Sequence, residues 1–192
     1  MAARAYPVAL FRDQEEWTSW LDSHHATAAG VWLRIAKKGS ALVSVSISEA
    51  LDAALCYGWI DGQRNRLDAD SYLQKFTPRR KRSVWSKVNR ENVARLIRSG
   101  AMRPAGMAAI EAAKADGRWE RAYDSPRSST VPDDLQTALD ASPQAKSFFE
   151  TLKSNNRYAV LYRVQTAVKP ETRARRIREF IAMLERGETL YP

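Results

Sequence analysis

The sequence predicts an α+β fold: a small antiparallel sheet of about three strands packed with helices, followed by a helical C-terminal part. Three observations lead there. Aromatic and β-branched residues alternate with polar ones in "VWLRIA", "WIDGQRNR" and "SYLQKFT". Beyond Pro104 the apolar residues recur at helical spacing as far as Leu184. Between these regimes "RWERAYDSPRSSTVPDD" gathers Ser, Pro and Asp in the manner of a linker. The expected organisation is an α+β core over 1–123, a linker over 124–131 and a helical region over 132–192.

Each element has its own signal. Trp17, Trp20, Leu21 and His24 share a helical face between Asp13 and His25, and Asp13, Glu15 and Glu16 sit at the end where the helix dipole favours acids. Gly30 breaks this helix. Val31, Leu33 and Ile35 then alternate with Trp32 and Arg34, as in a strand with one buried face. Ser46 and Glu49 have capping-box spacing ahead of a helix carrying Leu51, Ala54 and Leu55, which Gly58 ends. The next two strands meet at "LDAD", a turn sequence, and period two places Trp59, Asp61 and Gln63 on one face of the first. After Pro78, Ser86 or Asn89 caps a helix that buries Val93, Leu96 and Ile97 and stops at Gly100; Pro104 opens the following one.

In the C-terminal part, Pro132 opens a segment with Leu135, Ala138 and Leu139 inward, and Ser142-Pro143 opens one with Ala145, Phe148, Phe149 and Leu152 inward. Asn155 or Asn156 caps "RYAVLYRVQTAV". Pro170 opens the last helix, with Ala174, Ile177, Ile181 and Leu184 buried, Phe180 flanking them and Gly187 closing it.

With 44% hydrophobic and 28% charged residues, the chain has the balance of an ordinary soluble domain. The opening stretch reaches Asp13 after an apolar run too short for a secretory leader or a membrane span, and a single cysteine makes no internal disulfide. The expected location is cytoplasmic, without membrane insertion. The net charge of +9 is concentrated in residues 64–103, which carry twelve Lys or Arg against three Asp or Glu. Such a local excess is the electrostatic footprint of an anion-binding surface.

Candidate chemistry follows from residue types. His24 and His25 are adjacent on a helix and point about 100° apart, so they do not share a metal ion. Cys56 lies on the apolar side near a helix C-terminus, where the dipole disfavours a thiolate, and reads as an inert buried thiol. No Walker loop, dinucleotide fingerprint or nucleophile elbow is present. The expected ligand site has Trp59, Asp61 and Gln63 as one wall and Arg79, Arg80, Trp85, Ser86 and Asn89 as the anion side, because guanidinium groups, an aromatic face and a helix N-terminus suit an anion. The plainer alternative pairs Asp61 with Arg64, Arg79 or Arg80 and leaves the basic loop bridged to nearby acids. Arg157, Arg163, Arg173 and Arg176, near aromatic residues, either close a pocket or form a solvated helix face.

The stretches "ALCYGWIDGQ", "YLQKFTPRRKRSVWSKVN", "GAMRPAGMAAIEAAKADGRWERAYD" and "FFETLKSNNRYAVLYRVQTAVKPETRARRIREFIAMLERGE", with the terminal "YP", resemble the bacterial bacteriocin-protection, YdeI/OmpD-associated family over nearly the whole chain. The resemblance implies a cytosolic α+β protein with a helical C-terminal part and a role in tolerance of toxic peptides or stress. It carries no reaction, cofactor or catalytic residue. The expectation is therefore a cytosolic protein that binds a small anionic or nucleotide-like molecule. Two alternatives stand beside it: weak, sequence-indifferent nucleic-acid binding by residues 64–103, and an enzyme with Asp61 as general base. The sequence assigns no cofactor, no metal and no oligomeric state.

Overall fold

A computed structural model describes residues 6–192; the first five residues of the opening stretch lie outside the described residues. The chain forms two compact units. The first runs to Val84 and from Asn89 to Glu120, and the second comprises Trp85–Val88 and Arg121–Pro192.

The first unit is built on the expected small sheet, whose three antiparallel strands are joined by a fourth. Its strands are β1 (Val8–Ala9), β2 (Val31–Ala36), β3 (Trp59–Arg66) and β4 (Ser71–Pro78), in the spatial order β1-β2-β4-β3. The additional strand, β1, has two residues and lies parallel to β2; a segment that short has no period of its own to read. β2, β4 and β3 are antiparallel to their neighbours. Asp68 organises the "LDAD" turn: its Oδ1 accepts from the backbone N–H groups of Asp70 (3.0 Å) and Ser71 (2.7 Å), which makes the turn locally self-sufficient.

Helix α1 (Gln14–His24) starts beside the acids expected at its dipole end, and α2 (Ile47–Cys56) starts at the expected capping box. Asp13 accepts from the Glu16 backbone, and Ser46 and Glu49 complete a capping box that satisfies two otherwise orphaned N–H groups. α1 lies on the sheet face that carries Val31, Leu33, Trp59 and Phe76. The Trp17 indole donates to Ala50 O (3.0 Å) and its ring sits 5.7 Å from Phe76. The Trp59 indole donates to His25 O (3.1 Å), so both buried indoles satisfy their one donor.

α3 (Lys87–Arg98) begins before Asn89, which therefore lies within the helix and does not cap it. Val93 and Leu96 are buried, but Ile97 is 44% exposed, since it falls outside the stripe that Asn89, Val93 and Leu96 define. α4 (Pro104–Ala115) crosses α2 closely. A Cβ on Gly106 would stand 2.3 Å from Cys56 O, so only glycine fits there.

In the second unit, Ser86 bridges to Tyr123 in parallel: Tyr123 N donates to Trp85 O (3.0 Å) and Lys87 N to Tyr123 O (2.9 Å). Helices α5 (Asp133–Asp140), α6 (Pro143–Thr151), α7 (Ser154–Gln165) and α8 (Pro170–Glu185) bury a shared core that includes Leu135, Phe149, Val160, Val164 and Leu184. α7 begins two or three residues earlier than the Asn caps suggest, after Lys153, which makes no side-chain cap. Phe180 is buried with Ile177 and Leu184, while Ile181 is only partly buried: the wide stripe of a bundle helix rotates toward the larger ring. Arg173 grips Asp134 with two N–H groups (2.6 and 2.8 Å) and donates to Val164 O, and Arg176 donates to Arg163 O. These arginines tie α5, α7 and α8 together and satisfy carbonyls in the last turn of α7. Among the described residues no helix is long and apolar enough to cross a membrane.

Candidate functional site

The register of the first unit's sheet ranks its inner face in rows. Trp59 pairs with Pro78; Asp61, Phe76 and Val31 form the next row; then come Arg64, Gln74 and Leu33, and finally Arg66, Tyr72 and Ile35. Cross-strand partners point to the same side, so these residues share one face. The rows need a β-bulge between Asp61 and Arg64, where β3 has one residue more than β4. Gln74, buried, holds the bulge by donating to Gly62 O (2.9 Å).

The bulge changes the expected wall. Strict alternation would put Gln63 beside Trp59 and Asp61, but the extra residue turns it to the opposite face, where its amide oxygen accepts from Lys75 Nζ (3.1 Å). Lys75 itself lies over the Trp32 ring on that outer face. In exchange, Arg64 and Arg66 move onto the inner face. Trp59 is 1% exposed and packs edge-on against Trp17 and Trp20, which makes it core. Asp61 is half-buried; burial pushes its carboxyl above the ordinary range, against the opposing pull of its own backbone N–H and of Arg79 and Arg64.

The other predicted residues are distributed along the chain. Arg79 is half-buried at the end of β4 and donates to Val84 O (3.1 Å), while Arg80 is exposed and its backbone N–H is bound by Ser83 Oγ (2.9 Å). Trp85 and Ser86 are buried in the second unit, and Asn89 is buried in α3. Cys56 is buried, and burial followed by the Asp52 carboxylate pushes its thiol up to about 11. His24 stacks on Trp20 at 4.6 Å, and a His25 ring nitrogen lies 2.9 Å from Leu21 O.

The structure opens instead at the far end of the same inner face. A cavity of about 710 Å³ is lined there by Ile35, Lys37, Lys38, Val45, Ile47 and Tyr72, together with Ala36, Ser44, Ser46 and the Arg64–Arg66 stretch of β3. Four cations surround it and no acidic side chain contributes to the lining. The Arg64 guanidinium lies over the Tyr72 ring, 4.2 Å from its centre, with Nε directed to Gln74 Oε1 (3.4 Å). Lys37 Nζ is held by Asp68 O (2.6 Å) and Ala69 O (3.1 Å). Among the described residues none of the four cations is within salt-bridge distance of a carboxylate, although Arg64 attracts Asp61 electrostatically. Below them, Ile35 and Val45 close an apolar floor, and Ser46 begins α2, where the Glu49 carboxylate completes the capping box. The arrangement suits a negatively charged group at the rim with hydrocarbon beneath it.

None of the eight residues expected from the sequence lines this pocket. The signals that point to it are two basic pairs at the ends of strands: Lys37-Lys38 after β2, and Arg64 with Arg66 two apart on β3. The second pair belongs to the segment carrying the charge excess. The first lies outside it and becomes its neighbour only through the pairing of β2 with β4.

Residues 9–109 match a family model described as a domain of unknown function (DUF8412). Residues 128–187 match the family described as bacteriocin-protection, YdeI or OmpD-associated, a narrower span than the nearly complete likeness read from the sequence. No curated protein and no solved structure matches the chain. The pocket lies wholly within the first of the two matched regions.

Proposed function

We propose, for a chain that belongs to the DUF8412 family of domains of unknown function, that it is a cytoplasmic small-anion-binding protein of the bacteriocin-protection type. The observation that carries the anion reading is the cavity of about 710 Å³ ringed by Lys37, Lys38, Arg64 and Arg66 without an acidic lining residue. Cations gathered around an apolar concavity gain most from an anion that displaces water. The match of residues 128–187 supports the protective role. Nucleic-acid binding by residues 64–103 has less support, because several of its cations are engaged within the units: Arg95 pairs with Asp52 (2.6 Å), Lys87 with Asp124 (2.6 Å), and Arg90 donates to Trp119 O (3.0 Å).

Fluorescence titration with anilinonaphthalene sulfonate tests the reading. Saturable one-to-one binding is expected, weakened by salt and reduced about tenfold by the Lys38→Ala/Arg66→Ala double variant, the size of effect that loss of two partly exposed charge contacts produces. Equal affinity in the native protein and the double variant overturns it.

A further inference from the structure

We infer that the ligand is an organic acid with an apolar body, a carboxylate carried on a ring-sized or short aliphatic hydrocarbon, and neither a nucleotide nor a bare inorganic anion; this rests on the anion-binding reading above. Size is the first ground. A cavity of about 710 Å³ lies within the range that encloses an organic molecule and leaves a tetrahedral oxyanion loosely held.

The chemistry of the lining is the second. Its two serine hydroxyls are already engaged. Ser44 Oγ accepts from Ala36 N (2.8 Å) and donates to Val45 O (3.1 Å). Ser46 Oγ donates to Glu49 Oε2 (2.6 Å) and accepts from Glu49 N (3.3 Å). Asn65 pairs in register with Leu73, on the face opposite to Arg64 and Arg66, so its amide points away from the inner face. A nucleotide or sugar phosphate brings several ring nitrogens and hydroxyls, and those that reach the apolar floor of Ile35 and Val45 meet no hydrogen-bonding group, which opposes binding.

What the pocket does offer is apolar surface. Ile35 and Tyr72 are cross-strand partners, and Val45 and Ile47 flank the start of α2, so four elements of the lining converge on hydrocarbon. The Tyr72 ring, with the Arg64 guanidinium 4.2 Å over its centre, provides an aromatic surface beside the hydrocarbon, and Lys38 and Arg66 line the same cavity as partners for the carboxylate.

Calorimetric titration of the full chain with 2-naphthoate, 2-naphthylmethanol, adenosine monophosphate and inorganic phosphate tests the inference. Naphthoate is expected to bind one-to-one at least about tenfold more tightly than the other three, since it alone combines charge with an apolar body. Ile47→Ser, at a helix first position that accepts serine, is expected to weaken naphthoate about fivefold through lost apolar contact, with an unchanged circular dichroism spectrum. Adenosine monophosphate or phosphate binding as tightly as naphthoate overturns the apolar-acid inference and leaves anion binding standing. Naphthylmethanol binding equally well, or no binding by any of the four, overturns both. Unchanged naphthoate affinity in Ile47→Ser overturns the assignment of the acid to this cavity.

Discussion

The two ends of the inner sheet face are made from the same three strands, yet one end is core and the other is a pocket. At the first end, Trp59, Asp61 and Phe76 lie beneath α1, where Trp17 and Trp20 pack against them. At the second, Arg66, Tyr72 and Ile35 lie beyond the reach of α1's aromatic side chains, and the segment entering α2 leaves a concavity over them. Strand composition follows this division: an indole and a phenyl ring where water is excluded, guanidinium groups where it enters. The difference teaches that the cover over a strand decides whether its residues stabilise the fold or line an open concavity. The aromatic "GWID" stretch, conspicuous in sequence, belongs to the covered end.

That comparison can be broken or sharpened by substitution at each end. The largest effect is expected at the covered end. Trp59→Ala should lower the unfolding free energy by about 3–5 kcal/mol, the cost of removing a buried aromatic, as measured by urea denaturation. A loss below about 1 kcal/mol would mean that Trp59 is not core.

Ser46→Ala has a smaller effect at the open end. It removes the side-chain cap of α2 and should cost about 1 kcal/mol in the same measurement. Because the hydroxyl is committed to Glu49, anion affinity should stay within about twofold. A large affinity loss without a stability loss would reassign Ser46 from the helix to the ligand.

The smallest effect is expected from Asp61→Asn. The folded carboxyl titrates above its unfolded value because burial penalises its charged form, so the unfolded state is the better place for the ionised group. The penalty is absent while the carboxyl is protonated in both states and grows as pH rises through the unfolded and then the folded value. Asp61→Asn should therefore raise the melting temperature at neutral pH, and the gain should vanish below about pH 3.9, the unfolded value. A melting temperature that falls at neutral pH would show that attraction from Arg79 and Arg64 outweighs burial.

Much of the fold was legible because it rests on local rules. Asp13 and the Ser46/Glu49 pair mark helix starts through backbone donors a few residues away, and Pro104, Ser142-Pro143 and Pro170 do the same through fixed φ. The less legible parts depend on a partner. β1 exists because β2 offers an edge, and the bulge at Asp61/Arg64 exists because β4 is one residue shorter over that span. Gly62 weakens the strand in sequence, but a weakened strand does not reveal that its alternation inverts.

The sequence by itself determined the α+β class, the strands of the hairpin, the helices, the capping box of α2 and the confinement of the net charge to residues 64–103, because each of these follows from neighbours along the chain. Only the tertiary structure decided which cations meet. Lys37 and Lys38 join Arg64 and Arg66 through the pairing of β2 with β4 and β4 with β3, and Trp59 leaves the site because α1 covers it. The physical reason is that a pocket is a property of what fails to pack, and that depends on every element that surrounds it.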